Sequence, residues 1–324
     1  MGGGHGQDRG GSIMLTVLLA IVAPVFGLVA CGVVVRATNL LSADGAKALG
    51  LFVYAVATPA LLFRTMAGLS PPGVADLALL ASYFGPCLLV FGISLVAGRG
   101  FATSRDARPV MAMGATFSNT VLLGIPLTVE AYGPAGLKPL MLIISIHSAI
   151  LISMTTVMVE AARGAGDAWG TARAAAVAMA RNPMVLSIAA GLAVSSSGLG
   201  LAAPVDSFLR LLGQATVPCS LIALGASLLG YRLAANLGET LTTSALKLLA
   251  LPALVWLCGR YFAGLDPLSL QVATLCAAMP AGTNVYLLAQ RYDVATARAA
   301  STVLISTVAS VVTVAVLLAL FQPV

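Results

Sequence analysis

Hydrophobic runs long enough to cross a bilayer succeed one another along this chain, with short polar turns between them. The first, 13–35, holds no charged side chain in 23 positions. A hydrocarbon core about 30 Å thick takes about 20 apolar residues per helix. Lipid gives backbone amides no water, so each run must satisfy its own hydrogen bonds, as a helix does. Further spans are expected near 46–68, 77–97, 108–130 and 139–160, then near 183–200, 205–230, 241–262, 269–291 and 296–321. Only 9% of residues are charged and the mean hydropathy is +1.01; soluble domains run nearer a quarter charged. The expected fold class is an all-α polytopic membrane protein with about ten transmembrane helices. The 13–35 run exceeds a signal-peptide core and is expected to be the first helix.

Residues 1–12 are Gly-rich and polar, and are expected to form a disordered N-terminal lead. The one sizeable polar gap, 161–182, is expected to be a linker. It separates a first five-helix unit, 13–160, from a second, 183–324. Lys and Arg placement then sets the orientation. If both termini share one side, that side holds Arg9, Arg64, Lys138, Arg210 and Arg260, and the other holds the remaining 12 of the 17 basic residues. The bias puts both termini outside and the 161–182 linker in the cytoplasm. The net charge of +6 is spread singly between apolar runs, so it reads as topology and not as a nucleic-acid face.

One stretch violates the apolar pattern: Phe117-Ser118-Asn119-Thr120-Val121-Leu122-Leu123-Gly124-Ile125-Pro126. Pro126 cannot donate to the Leu122 carbonyl, and its ring displaces that carbonyl. The second half has a counterpart in Met279-Pro280-Ala281-Gly282-Thr283-Asn284. Helix breaks are therefore expected at Gly124 and Pro126, and at Pro280 and Gly282. Pro59 and Pro218 also occupy matching spans, the second and seventh. Each half holds an odd number of spans, so the second enters from the opposite side and the repeat is inverted. Paired broken helices in inverted halves point to a transporter's binding site at mid-membrane. Such an arrangement would resemble the crossover architecture of sodium–proton exchangers and bile-acid symporters.

Broken helices expose amide N–H groups at their new N-termini, which suit an anion. The candidate substrate-binding residues are Ser118, Asn119, Thr283 and Asn284, with His147 in the fifth span; the plainer role for the Asn and Thr side chains is to hold helices together. His147 is an ionisable group inside the membrane, either a neutral ring bonded to a carbonyl or a substrate or proton contact. No carboxylate lies within a span core. A cation exchanger is thereby disfavoured, and a small organic anion is the expected substrate. Alternatives are a sodium-coupled symporter of bile-acid type and a non-transporting sensor or scaffold. Cys31, Cys87, Cys219, Cys258 and Cys276 form no CxxC pair and are expected to be free thiols, with no metal site. No cofactor is expected, coupling to H+ or Na+ is left open, and a homodimer is an open partner state. Ser145, His147 and Ser148 lack an orienting carboxylate, and no HExxH or phosphate loop occurs, so no enzyme is expected.

The Asn119–Pro126 stretch, with Ala131-Tyr132-Gly133 after it, is similar to the fourth-helix motif of the auxin efflux carrier family. Met279-Pro280-Ala281-Gly282 and Ala289-Gln290-Arg291-Tyr292-Asp293 resemble its ninth-helix region. Asn182-Pro183, Leu212-Gly213 through Pro218, and Leu224-Gly225 extend the likeness over 13–324. The resemblance implies ten helices in two inverted repeats, crossing at the prolines, and an elevator-like shift of a transport domain against a scaffold. It implies a substrate-site role for Asn119, and sets His147 where plant relatives carry a Gln near the substrate. Those relatives have an apolar residue around Asn284 and a long cytoplasmic loop where this chain has the short linker. The resemblance is to bacterial members, which are associated with malonate and other small carboxylates.

Overall fold

The computed structural model describes residues 21–68, 73–101, 103–164, 183–230 and 237–321, with single positions between 170 and 181. The expected lead at 1–12, the first residues of the first span and most of the 161–182 linker lie outside the described residues. Everything described is helix or connection, apart from one isolated β-bridge. In order the helices are α1 (Ala23–Ala37), α2 (Ala43–Phe52), α3 (Thr58–Ala67), α4 (Val74–Gly100), α5 (Ala107–Gly114), α6 (Ile125–Tyr132), α7 (Leu137–Ala162), α8 (Pro183–Ser197), α9 (Ala203–Gln214), α10 (Thr216–Leu228), α11 (Leu237–Ala245), α12 (Leu251–Leu257), α13 (Pro267–Ala278), α14 (Asn284–Tyr292) and α15 (Thr296–Phe321). Among the described residues six helical runs are long and apolar enough to cross a membrane, and α1, α8 and α13 are shorter apolar helices. One of the six, Thr120–Ala162, turns at Gly133, whose φ of 60° needs a residue without Cβ.

Local chemistry explains where helices start. The Ser42 hydroxyl accepts from the Gly45 amide at 3.0 Å, capping α2. The Asp266 carboxylate accepts from Ser269 N at 3.0 Å, with Pro267 supplying the first residue of α13. At α4 the Asp76 side chain takes the Gly73 amide at 2.6 Å.

Three prolines follow five-residue π-helical turns: Val53–Ala57 before Pro59, Thr120–Gly124 before Pro126, and Leu246–Ala250 before Pro252. A proline ring collides with the carbonyl four residues back. Widening the preceding turn moves that carbonyl aside, so the chain continues as helix.

That pattern relocates the first helix break. The nonhelical segment is 115–119, between α5 and the π turn, and Pro126 sits in the first turn of α6. Gly124 is equally inside the helical run, and a Cβ there would make only ordinary contacts, the nearest at 3.5 Å. The expectation of a break at Gly124 and Pro126 is therefore corrected: the π turn absorbs Pro126. In the second half the interruption is 279–283, so Pro280 and Gly282 do stand within it.

Helices pair across the two halves. α1 lies on α10 so closely that a Cβ on Gly225 would be 1.9 Å from the Val29 oxygen, and one on Gly32 would be 2.3 Å from the Ile222 oxygen. α8 meets α3 in the same way, with Gly191 against Met66 and the Phe63 carbonyl. Small residues permit such backbone contact, and van der Waals packing drives it in lipid. The Arg64 guanidinium joins α3 to α9 by two bonds to Asp206, at 2.6 and 3.1 Å.

The remaining helices enclose a core of Tyr83, Phe84, Met113, Phe117, Met141, Val272 and neighbouring side chains. At one end of it Glu239 is buried and paired, accepting from the Thr103 hydroxyl at 2.6 Å and from the Arg298 guanidinium. Nearby Arg163 reaches Asp106 at 3.2 Å, the Tyr292 carbonyl and the Tyr292 ring. The Ser104 hydroxyl and then Arg163 hold the Asp106 carboxyl below the usual carboxylate range.

Candidate functional site

The two interruptions meet. Ser118 and Ala281 form an antiparallel bridge, in which Asn119 N donates to Pro280 O at 2.8 Å and Gly282 N to Phe117 O at 2.9 Å. Two extended strands of chain thus pair where neither could pair with its own helix. The close approach explains Gly282, where a Cβ would lie 2.8 Å from the Phe117 ring.

Backbone accounting shows why each break is stable away from water. At the end of α5, Ala115 and Phe117 donate to Met111 O and Met113 O, and the Thr116 hydroxyl returns to Ala112 O. The Ser118 amide goes to His147 Nε2 at 3.1 Å, and Ala281 N goes to the Ser306 hydroxyl at 3.0 Å. After the crossing the accounting stops. Among the described residues no acceptor takes the amides of Val121 and Leu122, or those of Thr283 and Asn284. These are the first turns of two helical segments, the orphan donors of any helix start.

A cavity of about 660 Å³ lies over those turns. Its wall includes Ser118, Asn119, Thr120, Val121 and Leu122 from one crossing, and Gly282, Thr283, Asn284 and Leu287 from the other. The Asn119 side chain is buried and its Nδ2 has no partner among the described residues. Across the cavity stand α1, α2 and α10, contributing Arg36, Lys47, Tyr54 and Ser227. Neither Arg36 nor Lys47 joins an ion pair among the described residues, and no carboxylate is in the lining. The cavity therefore offers amide donors at two helix N-termini and two basic side chains. This is a setting for negative charge.

The structure thus brings Ser118, Asn119, Thr283 and Asn284 to one cavity. His147 is elsewhere: it is buried behind the crossing among Phe117, Tyr83 and Phe84, with ring centroids 4.7, 5.8 and 6.3 Å away, and is not in the cavity wall. Its Nε2 accepts the Ser118 amide, so that nitrogen carries no proton and the ring is neutral while the bond stands. The plainer reading of a neutral ring bonded to backbone fits this geometry, with an amide in place of the carbonyl.

A prediction follows. His147→Gln sets an oxygen near the position of Nε2 and is expected to keep the melting temperature. His147→Leu leaves the Ser118 amide unpaired, at a cost of about 1–3 kcal/mol. Thermal unfolding in detergent distinguishes the two; equal loss in both variants would mean ring packing matters more than the bond.

Sequence reasoning missed Arg36 and Lys47 because they stand at span ends, where basic residues also report topology. It also missed Lys247, which was counted with the loop charges yet is fully buried. The signal was present: Ala245-Leu246-Lys247-Leu248-Leu249 places a lone cation inside an expected span.

Known proteins resemble this chain over most of its length. A protein of Rhizobium meliloti (strain 1021), named "Putative malonate transporter", is 28% identical over 314 residues, covering 94% of this chain and 96% of the relative. The sequence profile described as Membrane transport protein matches residues 17–318. With the crossing motifs inside that match, the chain belongs to this membrane transport family, the auxin efflux carrier family that its motifs resemble.

Proposed function

We propose that this protein is a secondary transporter of a small organic anion, a mono- or dicarboxylate, bound in the cavity at the crossing. The observation that carries this is the cavity's lining among the described residues: unpaired amides of two helix starts, the unpaired Asn119 amide, Arg36 and Lys47, and no carboxylate. Malonate is the first substrate to try, since the Rhizobium relative is named for it.

The proposed architecture is ten spans in two inverted five-helix repeats. Its support is the reciprocal pairing, first span on seventh and sixth on second, together with two interrupted helices that cross. In this reading α1–α3 and α8–α10 are a scaffold, and the helices around the crossing are the moving body. The cavity is walled by both groups, as a site carried past a fixed partner would be. With Lys247 left out of the count the basic bias keeps its sign; in this reading both termini lie outside and Arg36 and Lys47 stand toward the cytoplasmic end of the cavity.

Uptake of a labelled carboxylate panel, malonate included, by purified protein in liposomes tests the reading. Saturable uptake of at least one carboxylate is expected. Absence of both binding and flux for every anion, with folded protein confirmed, overturns it. Strict sodium dependence would favour the bile-acid symporter type instead.

A further inference from the structure

Lys247 is an ionisable side chain outside the wall of the anion cavity. It lies in the π turn Leu246–Ala250, ten residues after Leu237, roughly 15 Å along an apolar helical run. The side chain is fully buried, and Nζ donates to the Ala277 carbonyl. Ala277 is the penultimate residue of α13, so the amine stands at the carbonyl end of a half-helix, just before the second interruption.

What faces this amine is uncharged. α4 presents the Cys87 thiol and the Tyr83 hydroxyl, α13 the Cys276 thiol, and α7 the neutral His147 ring. α12 has no ionisable side chain. α11 and α15 hold only Glu239 and Arg298, which pair with each other. Lys247 has no carboxylate partner among the described residues. Burial without a counter-charge favours the neutral amine, whereas the half-helix carbonyl end favours the ammonium. A negative charge arriving on the other face of the crossing decides between them.

A polar row connects the two faces. Ser118 is in the cavity wall, its hydroxyl is 3.2 Å from the Tyr83 hydroxyl, and the Cys276 thiol lies 3.6 Å from that same oxygen. Cys276 is adjacent in sequence to Ala277, the acceptor of Lys247.

We propose that Lys247 carries the coupling proton of transport: its amine takes up one proton as a carboxylate enters the cavity and returns it when the carboxylate leaves. The inference rests on the organic-anion reading above. The proton comes from water on the side to which the cavity is open, converting amine to ammonium, and the reverse step restores both. Anion and proton then move together, and the empty carrier returns without a buried unpaired charge. Lys247 does not touch the cavity, so it acts on the anion through space and through α13.

The test uses the full-length protein and malonate as probe, at about pH 9, where both malonate carboxyls are ionised and the buried amine is mostly neutral before the anion binds. Wild-type protein in weak buffer is expected to take up about one proton per malonate bound. Lys247→Met is expected to bind malonate with no proton uptake. In liposomes it should lose accumulation driven by a pH gradient and keep malonate–malonate exchange. Lys247→Arg, whose charge does not titrate, should also lose the pH response. Malonate binding by wild type with no proton uptake overturns the proposal, as does unchanged pH-driven accumulation by folded Lys247→Met. Both results leave the anion reading standing. A wild type that binds and moves no carboxylate overturns the two together. The wild-type proton measurement decides the question even if Lys247→Met fails to fold.

Discussion

Asn119→Ala is expected to weaken carboxylate transport about ten- to a hundredfold while folded yield and melting temperature stay at wild-type values. The backbone of Asn119 holds the crossing, through its N–H to Pro280 and its carbonyl to Gly124, and alanine keeps both bonds. What alanine removes is the side-chain amide, whose Nδ2 is buried in the cavity wall without a partner. Deleting an unsatisfied buried donor breaks no hydrogen bond within the protein and removes its desolvation penalty. A hydrogen bond to a charged ligand is worth about 1.5–3 kcal/mol, which gives the expected range of affinity loss. The comparison is half-saturation for malonate against thermal unfolding of the same preparation. Unchanged half-saturation, or a large fall in melting temperature, would assign Asn119 to holding helices together.

Gly225→Ala is expected to act the opposite way, through the fold. Its new methyl would meet the Val29 carbonyl oxygen at 1.9 Å and the Gly32 Cα at 3.1 Å. These are backbone atoms of α1, with no side chain to rotate away, so the two helices must separate. Overpacking of this kind costs about 1–3 kcal/mol, occasionally more, and α1 and α10 would lose the close contact that holds them together in lipid. Gly27→Ala is the control: it lies on the same helix α1 with nothing within 4 Å of the added carbon. Thermal unfolding should show Gly225→Ala well below wild type and Gly27→Ala unchanged. Equal behaviour of the two would mean that the α1–α10 contact carries no stability. Because Arg36 of α1 stands in the cavity wall, a Gly225→Ala protein that does fold is also expected to transport less well.

How much of this was legible beforehand depended on the range of the interaction. Apolar runs announce helices because the requirement is local: each segment must close its own hydrogen bonds in lipid. The polar cluster around Asn119 and its echo at Thr283–Asn284 were legible for the same reason, since lipid leaves such groups no other solution than protein or water. The position of the break was not. Proline chemistry pointed to Pro126, but a π turn absorbs that ring, and the interruption at 115–119 exists because partners far along the chain pair with its amides and its Phe117 carbonyl. Pro280 O, His147 Nε2 and the Phe117–Gly282 bond are 161, 29 and 165 residues away in sequence. His147 and Lys247 show the same limit. Sequence marks an ionisable group inside a span, but only packing reveals that the ring is held as an acceptor and that the lysine has no counter-ion among the described residues.

By itself, then, the sequence determined a helical chain with apolar spans and two anomalous stretches, because backbone hydrogen bonding in lipid is decided within each segment. Only the tertiary structure decided that the two anomalies pair with each other. It alone placed four of the five candidate residues around one cavity, with Arg36 and Lys47 opposite, and His147 and Lys247 behind it. The physical reason is that an interrupted helix must find its missing partners elsewhere in the protein. Which partners it finds depends on how distant helices pack.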